Sequence, residues 1–416
     1  AFPWTFSEAG SPWGGRCGRD LGRQEARQVS HDEAPVIAYQ ADRSSEDAGD
    51  QMFRKAVFPG KYIQGAGAIS ELPSLVERLG GKGTVLASPS VVRRVLPRCG
   101  LDPEAPAIHI EPFRGECCEE ELTRLSKVIS EHQAEVLVGM GGGKAIDTAK
   151  IAADRAGIPV VIVPTIASTD APCSGCAVRY TSDGVFDSVL YQRSNPQVVL
   201  VDLEIIAAAP VRFLVAGMGD ALSTWFEARS CRRTQSMNEC GGISTAAGLG
   251  IAKLCYETLL ADGAEAKAAN EAGVVSPALD RIVEANTLLS GLGFESAGLA
   301  SAHSIHNGLT ALAETHSFLH GEKVAFGVLA GLCLTDAPPE EIDTVYSFCE
   351  EVGLPTTLAG VGLGRADPER LAIAAERACA PGQPIHHEAG TITPEKVLGA
   401  MLAADSIGKE MSSGRA

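Results

Sequence analysis

Two continuous apolar runs constrain this chain most. Val136-Leu-Val-Gly-Met140 and Pro159-Val-Val-Ile-Val-Pro164 show no polar alternation, so strands built from them must be covered on both faces. A helical stretch, Lys144 to Ala156, lies between them. A strand, a crossover helix and a second strand pair in parallel. The same alternation runs further in both directions. Gly83-Thr-Val-Leu-Ala-Ser88, Ala107-Ile-His-Ile-Glu-Pro112 and Val198 to Leu203 read as strands, and Glu119 to Gln133 as a helix. Phe53-Arg-Lys-Ala-Val-Phe-Pro-Gly-Lys-Tyr-Ile63 is also strand-like. Residues 52–210 are therefore expected to form a doubly wound, mostly parallel α/β domain able to bind a nucleotide.

After Pro210 the spacing of apolar residues changes to a helical period. Val215 to Ser230, Gly242 to Leu260, Pro277 to Leu292, Ala297 to Leu312 and Gly321 to Leu334 are expected as helices. More helices follow in 338–416, broken at Pro355, Pro381 and Pro394. The expected architecture is an α/β N-terminal nucleotide-binding domain (52–210) and an all-α C-terminal domain (211–416), with a small-molecule site in the cleft between them. Residues 1–51 hold two of the three Trp, many Gly, Ser and Arg, and little periodicity. They read as a disordered extension outside the fold. Glu8, Asp20 and Glu25 count against a transit peptide.

Bulk properties remove several classes. A net charge of −17 argues against nucleic acid or another polyanion as partner. No apolar run reaches the roughly 18 residues that a membrane helix needs. The twelve cysteines show no disulfide framework and read as the reduced thiols of a cytoplasmic enzyme. Cys173-Ser-Gly-Cys176 is the one CxxC, and no second pair or nearby His completes it as a zinc site.

Three segments carry chemistry. Gly139-Met-Gly-Gly142-Gly143-Lys144 follows a buried strand and opens a helix, where bare backbone and free N–H groups can take a phosphate. It lacks the usual G-x-G-x-x-G spacing, and a plain tight turn is the competing reading. Pro164-Thr165-Ile-Ala-Ser168-Thr169-Asp170 follows the next strand and offers hydroxyls at the carboxyl end of the sheet. The third segment is richer. Asp220 stands at an expected helix start, where Asp is a common N-cap. His303, His306, His316 and His320 put four of the nine histidines inside eighteen residues. One carboxylate and two imidazoles suffice for a metal with open positions, so at least one of these histidines is not a ligand. His316 and His320 share a face only if that stretch is helical.

Taken together, Gly141-Gly-Gly-Lys-Ala-Ile-Asp-Thr-Ala-Lys150, Pro164-Thr-Ile-Ala-Ser-Thr-Asp-Ala-Pro172, Val215-Ala-Gly-Met-Gly-Asp-Ala-Leu-Ser-Thr224, Gly298-Leu-Ala-Ser-Ala-His-Ser-Ile-His-Asn-Gly308 and His320-Gly-Glu-Lys-Val-Ala-Phe-Gly327 resemble the iron-containing, or group III, alcohol dehydrogenase family. The proline-flanked segment points to its glycerol dehydrogenase branch. The likeness runs from about Met52 to near the C-terminus. It implies a dehydroquinate synthase-like architecture and NAD-dependent oxidation of glycerol to dihydroxyacetone, a cytoplasmic location and a large, octamer-like homo-oligomer. It implies that Asp220, His303 and His320 bind one zinc ion that polarises the substrate hydroxyl. Gly142, Gly143 and Lys144 would hold the cofactor phosphates. Thr165, Ser168, Ser174, Cys176 and Tyr180 would contact NAD further on. Asp170 would hydrogen-bond the polyol, and Asp170 and His303 would be the catalytic pair. His306 and His316 would not be ligands.

The resemblance has two departures. Cys176 stands where an aliphatic residue is expected, and Ser88 and Ser90 stand where an acid often holds the adenosine ribose, which weakens strict NAD preference. A dehydroquinate synthase-like lyase is the rival enzyme class. It handles anionic substrates, and 298–320 contains no Lys or Arg. A non-catalytic zinc protein on the same scaffold is the other rival.

Overall fold

The computed structural model describes residues 53–101, 107–184, 186–365 and 367–414, so the reading of 1–51 lies outside the described residues. Its strands are β1 (Tyr62–Gly65), β2 (Gly83–Ala87), β3 (Ile108–Pro112), β4 (Val136–Gly141), β5 (Val160–Pro164), β6 (Cys176–Tyr180), β7 (Phe186–Tyr191) and β8 (Val198–Asp202). Six of them form a parallel sheet in the order β1-β8-β5-β4-β2-β3. Every residue of β2, β4, β5 and β8 is buried, as their unbroken apolar runs require. Strand order reverses between β2 and β4, and the crevice beyond the carboxyl ends at such a point is where doubly wound sheets take ligands.

Helices α1 (Leu72–Leu79), α2 (Pro89–Arg94), α3 (Glu119–Glu131), α4 (Gly143–Ala156) and α5 (Leu203–Ala207) belong to the α/β part. The helical part holds α6 (Val211–Thr234), α7 (Ala246–Glu271), α8 (Pro277–Glu284), α9 (Ser290–Ala297), α10 (Ser301–Leu309), α11 (His320–Leu334), α12 (Pro339–Val352), α13 (Pro368–Ala378) and α14 (Pro394–Gly414). Period-two alternation along the strands splits the core. Val85, Val138, Val161 and Leu200 pack with Leu72, Val76 and Val91 on one face. Leu137, Ile162 and Val199 join one continuous core with Leu214, Met218 and Ile282 of the helical part. The two parts pack as one compact unit, and Pro210 marks the change of character between them.

Four expectations need correction. The strand-like N-terminal segment is a strand only at Tyr62–Gly65, while Arg54 makes an isolated bridge to Ile243. The antiparallel β6–β7 hairpin was not expected, because its half-exposed residues lack a dense apolar run. Pro277 to Leu292 is not one helix: a wide π turn, Ala285–Leu289, separates α8 from α9. His316 and His320 do not share a helix. His316 ends a short turn, and His320 opens α11.

Candidate metal and nucleotide site

Asp220 is no N-cap. It lies well inside the long helix α6 and is 1% exposed. Glycines on either side explain how that point of a helix is reached by other segments. A Cβ on Gly217 would stand 2.0 Å from the Ala167 carbonyl oxygen, and one on Gly219 would stand 2.4 Å from that of Gly321. A Cβ on Gly321 would stand 1.8 Å from the Ala216 carbonyl. Glycine inside a helix costs about 1 kcal/mol, and here it lets the 165–170 loop and the start of α11 press onto α6. The π turn helps hold that loop: the Asn286 amide donates to Ala167 O at 3.1 Å and Leu214 O at 3.0 Å.

This packing brings three predicted ligands together. His303 Nε2 is 3.7 Å and His320 Nε2 is 3.1 Å from Asp220 Oδ1. One ligand atom from each of the three residues lies within 4.8 Å of the others. Asp220 Oδ1 is buried and is engaged by no hydrogen bond, although His320 Nε2 faces it at 3.1 Å as an ion-pair neighbour. Oδ2 accepts the Asp170 N–H at 3.2 Å. The Asp170 carboxylate accepts from Ser290 Oγ at 2.8 Å. Burial, and then the adjacent Asp220, hold the Asp170 carboxyl well above the usual range. Burial also works to raise Asp220, but the His320 and His303 rings pull it below the usual range. A buried carboxylate with an unpartnered oxygen facing two imidazoles, beside the half-buried carboxyl of Asp170, makes a donor set that fits a divalent cation.

Glu227, absent from the sequence reading, completes the surroundings. It is 1% exposed, and its Oε2 lies 2.6 Å from His303 Nδ1. Burial opposes protonation of His303, but Glu227 and then Asp220 outweigh it and push the imidazole up to about 9. His306 packs edge-on against His320, with ring centres 4.2 Å apart. Its burial, and then the nearby His320, hold it well below the ordinary histidine value. His316 points elsewhere, with Nε2 at 3.0 Å from Thr310 O.

The nucleotide side adjoins the cation side through one loop. Gly141 and Pro164 are register partners on β4 and β5, so the loops beyond them start together. The Thr165 N–H donates to Gly141 O at 3.0 Å. Gly142 precedes α4 in extended conformation with no side-chain cap, leaving the first N–H groups of a fourteen-residue helix free of any side-chain acceptor. A Cβ on Gly143 would meet nothing nearer than Thr169 Oγ1 at 4.0 Å, so the turn is open to a bulky anion. Five residues beyond Thr165, the same loop delivers Asp170 to Asp220. Thr165 and Ser168 lie half-buried on this loop.

Other predicted cofactor residues are placed differently. Lys144 is exposed and pairs with Glu116 at 2.5 Å, its ammonium 5.1 Å from the centre of the Tyr180 ring. Ser174 is buried, and its hydroxyl lies 3.3 Å from both Ala171 O and the Lys150 ammonium. Cys176 is half-buried, and its carbonyl accepts from the same Lys150. Lys150 also donates to Ala171 O at 2.9 Å and pairs with Asp147 at 3.3 Å. This fully buried lysine, likewise missed, pins the 171–176 loop onto α4. Burial raises the Cys173 and Cys176 thiols far above their ordinary value, which removes the thiolate that a redox CxxC needs.

Known proteins resemble this chain over most of its length. The sequence profile of the iron-containing alcohol dehydrogenases matches residues 59–203. Glycerol dehydrogenase of Thermotoga maritima is 53% identical over 359 residues, which is 86% of this chain and 98% of that protein. The chain belongs to the iron-containing alcohol dehydrogenase family. Glycerol dehydrogenase of Escherichia coli O6:H1 is 49% identical over 84% of this chain and 96% of its own. Among solved structures, a probable glycerol dehydrogenase from Sinorhizobium meliloti superposes with a TM-score of 0.82 at 48% identity, covering 86% of this chain and all of that one. Membership accounts for the parallel sheet followed by helices. Among the described residues no helix is long and apolar enough to cross a membrane.

Proposed function

We propose that this chain is an NAD-dependent glycerol dehydrogenase, converting glycerol to dihydroxyacetone and back. The observation that carries the reading is the Asp220, His303 and His320 cluster, built around an unpartnered carboxylate oxygen and joined by the 165–170 loop to an open glycine turn. Relatives named glycerol dehydrogenase at 53% and 49% identity supply the substrate. When bound, a divalent cation supplies polarisation of a substrate hydroxyl and nicotinamide supplies the acceptor for hydride.

The residues have distinct tasks in this scheme. Asp220, His303 and His320 hold the cation, and zinc suits a set of two imidazoles and one carboxylate. Gly142 and Gly143 admit the pyrophosphate at the head of α4, with Thr165 and Ser168 alongside it. Lys144 and Tyr180 line the approach, while Ser174 and Cys176 act through backbone that Lys150 holds in place. Asp170, raised well above the usual carboxyl range, can both donate to and accept from a polyol, which favours a vicinal diol over a simple alcohol. His303, facing Asp220 at 3.7 Å, is the ligand that acts with Asp170 on the substrate, and His306 and His316 have no ligand role. The cleft divides an α/β domain (52–210) from a helical domain (211–416). The eleven described cysteines are all unpaired, which supports a cytoplasmic enzyme, and family membership supports a homo-oligomer.

The test is NADH formation on glycerol and 1,2-propanediol, with NADP in place of NAD as the comparison. NADH made from either diol supports the reading. A protein that binds zinc yet turns over no diol with either cofactor contradicts it.

A further inference from the structure

We propose that Glu227 is a positioning residue: it fixes the ring of His303 so that Nε2, and not Nδ1, is bare and faces Asp220. The inference rests on the cation reading above and deepens it.

Asp220 and Glu227 are seven residues apart on α6, two turns along one face and about 10 Å apart on the axis. One rigid helix therefore carries both a ligand and the group that orients a second ligand. The Glu227 carboxylate is buried. Oε1 accepts the backbone N–H groups of Ala300 and His303, both at 2.9 Å. Those are among the donors that the start of α10 leaves without helical partners. Oε2 takes His303 Nδ1 at 2.6 Å. With Oε1 already accepting two N–H groups, Oε2 is placed to accept from Nδ1, which makes Nδ1 the nitrogen that carries the proton. The neutral ring then presents a lone pair at Nε2, the nitrogen that lies 3.7 Å from Asp220 Oδ1. With Oε1 locked onto the helix that bears His303, and Oε2 onto its ring, the imidazole is held at two points by one side chain. His320 opens its helix instead, and its approach is set by the contact of Gly219 with Gly321.

Three substitutions separate tautomer control from simple capping. In Glu227→Gln the amide oxygen can still take both backbone N–H groups. Its NH2 group then faces Nδ1 and donates, which drives the ring proton to Nε2, the position a cation needs. Glu227→Asp keeps the carboxylate chemistry on a shorter arm. Glu227→Leu removes both functions.

The experiment measures zinc affinity of the metal-stripped full chain by competition with a chromophoric chelator. It is run on wild type, the three Glu227 variants and Asp220→Ala. Imidazole 15N NMR of the metal-free protein at alkaline pH, where the ring is neutral, reads the His303 tautomer. The expected result is a 10- to 100-fold loss of affinity in Glu227→Gln. It should come with a switch of the proton from Nδ1 to Nε2, and Glu227→Asp should recover part of the affinity. A Gln variant with wild-type affinity and an unchanged tautomer overturns the proposal and leaves the cation site standing. Equal affinity in wild type and Asp220→Ala overturns the cation site, and the proposal with it.

Discussion

Single residues here owe their behaviour to burial set against a few named partners. Glu295 is buried with the Gly175 N–H at 2.7 Å and the Asn195 amide at 2.6 Å, and burial pushes its carboxyl up to about 7. The folded protein therefore holds this proton more tightly than the unfolded chain. The stabilising contribution is complete below the ordinary carboxyl range near 4.5 and is lost as pH rises to about 7. The loss is roughly 3 kcal/mol. Denaturant unfolding of wild type and Glu295→Gln near pH 5 and near pH 8 tests it. Wild type should lose ground to the variant by about that amount as pH rises; a gap that stays constant contradicts the assignment. Lys150 gives a second prediction. In Lys150→Met the buried Asp147 loses its cation and three loop carbonyls, those of Ala171, Ser174 and Cys176, lose their donor, so stability should fall by about 3–5 kcal/mol, read as the urea midpoint. Neither residue was legible in the sequence. Glu295 meets partners 120 and 100 residues away, and Lys150 reaches 21 to 26 residues ahead. Asp220 and the four clustered histidines were legible as a donor set by residue type, but which two of the histidines stand with Asp220 was implied only by the family resemblance.

At the scale of elements, the decisive contact is the crossing of α6 with the start of α11. Gly219 and Gly321 bring backbone against backbone there, and this sets how near His320 comes to Asp220. In Gly321→Ala the new methyl would lie 1.8 Å from the Ala216 carbonyl, so the helices must part. Stability should fall by about 1–3 kcal/mol. Zinc affinity should fall as well, with far-UV helix content unchanged. Wild-type zinc affinity in this variant would show that the crossing does not set the site. The elements read well from sequence wherever the pattern was dense: β2, β4, β5 and β8 lie within a residue or two of their apolar runs. The misses share one cause. Asp220 looked like a cap because Asp is a common residue at helix starts, whereas it lies inside α6, where Gly217 and Gly219 are contact points for other segments. The π turn at Ala285–Leu289 has no local signature, since it is imposed by the carbonyls that Asn286 must reach.

In the whole molecule, a sheet that ends in an open glycine turn is joined to a helical part that gathers Asp220, His303 and His320 into one cluster. The 165–170 loop connects the two by touching both. The account therefore requires that nucleotide chemistry depend on the cation cluster. The most direct measurement is NADH formation from glycerol by metal-stripped protein as zinc is added back. The account predicts negligible activity without metal, activity that saturates at one ion per chain, and none restored in Asp220→Ala. Full turnover by the stripped protein, or undiminished turnover by the Asp220→Ala variant, would contradict it.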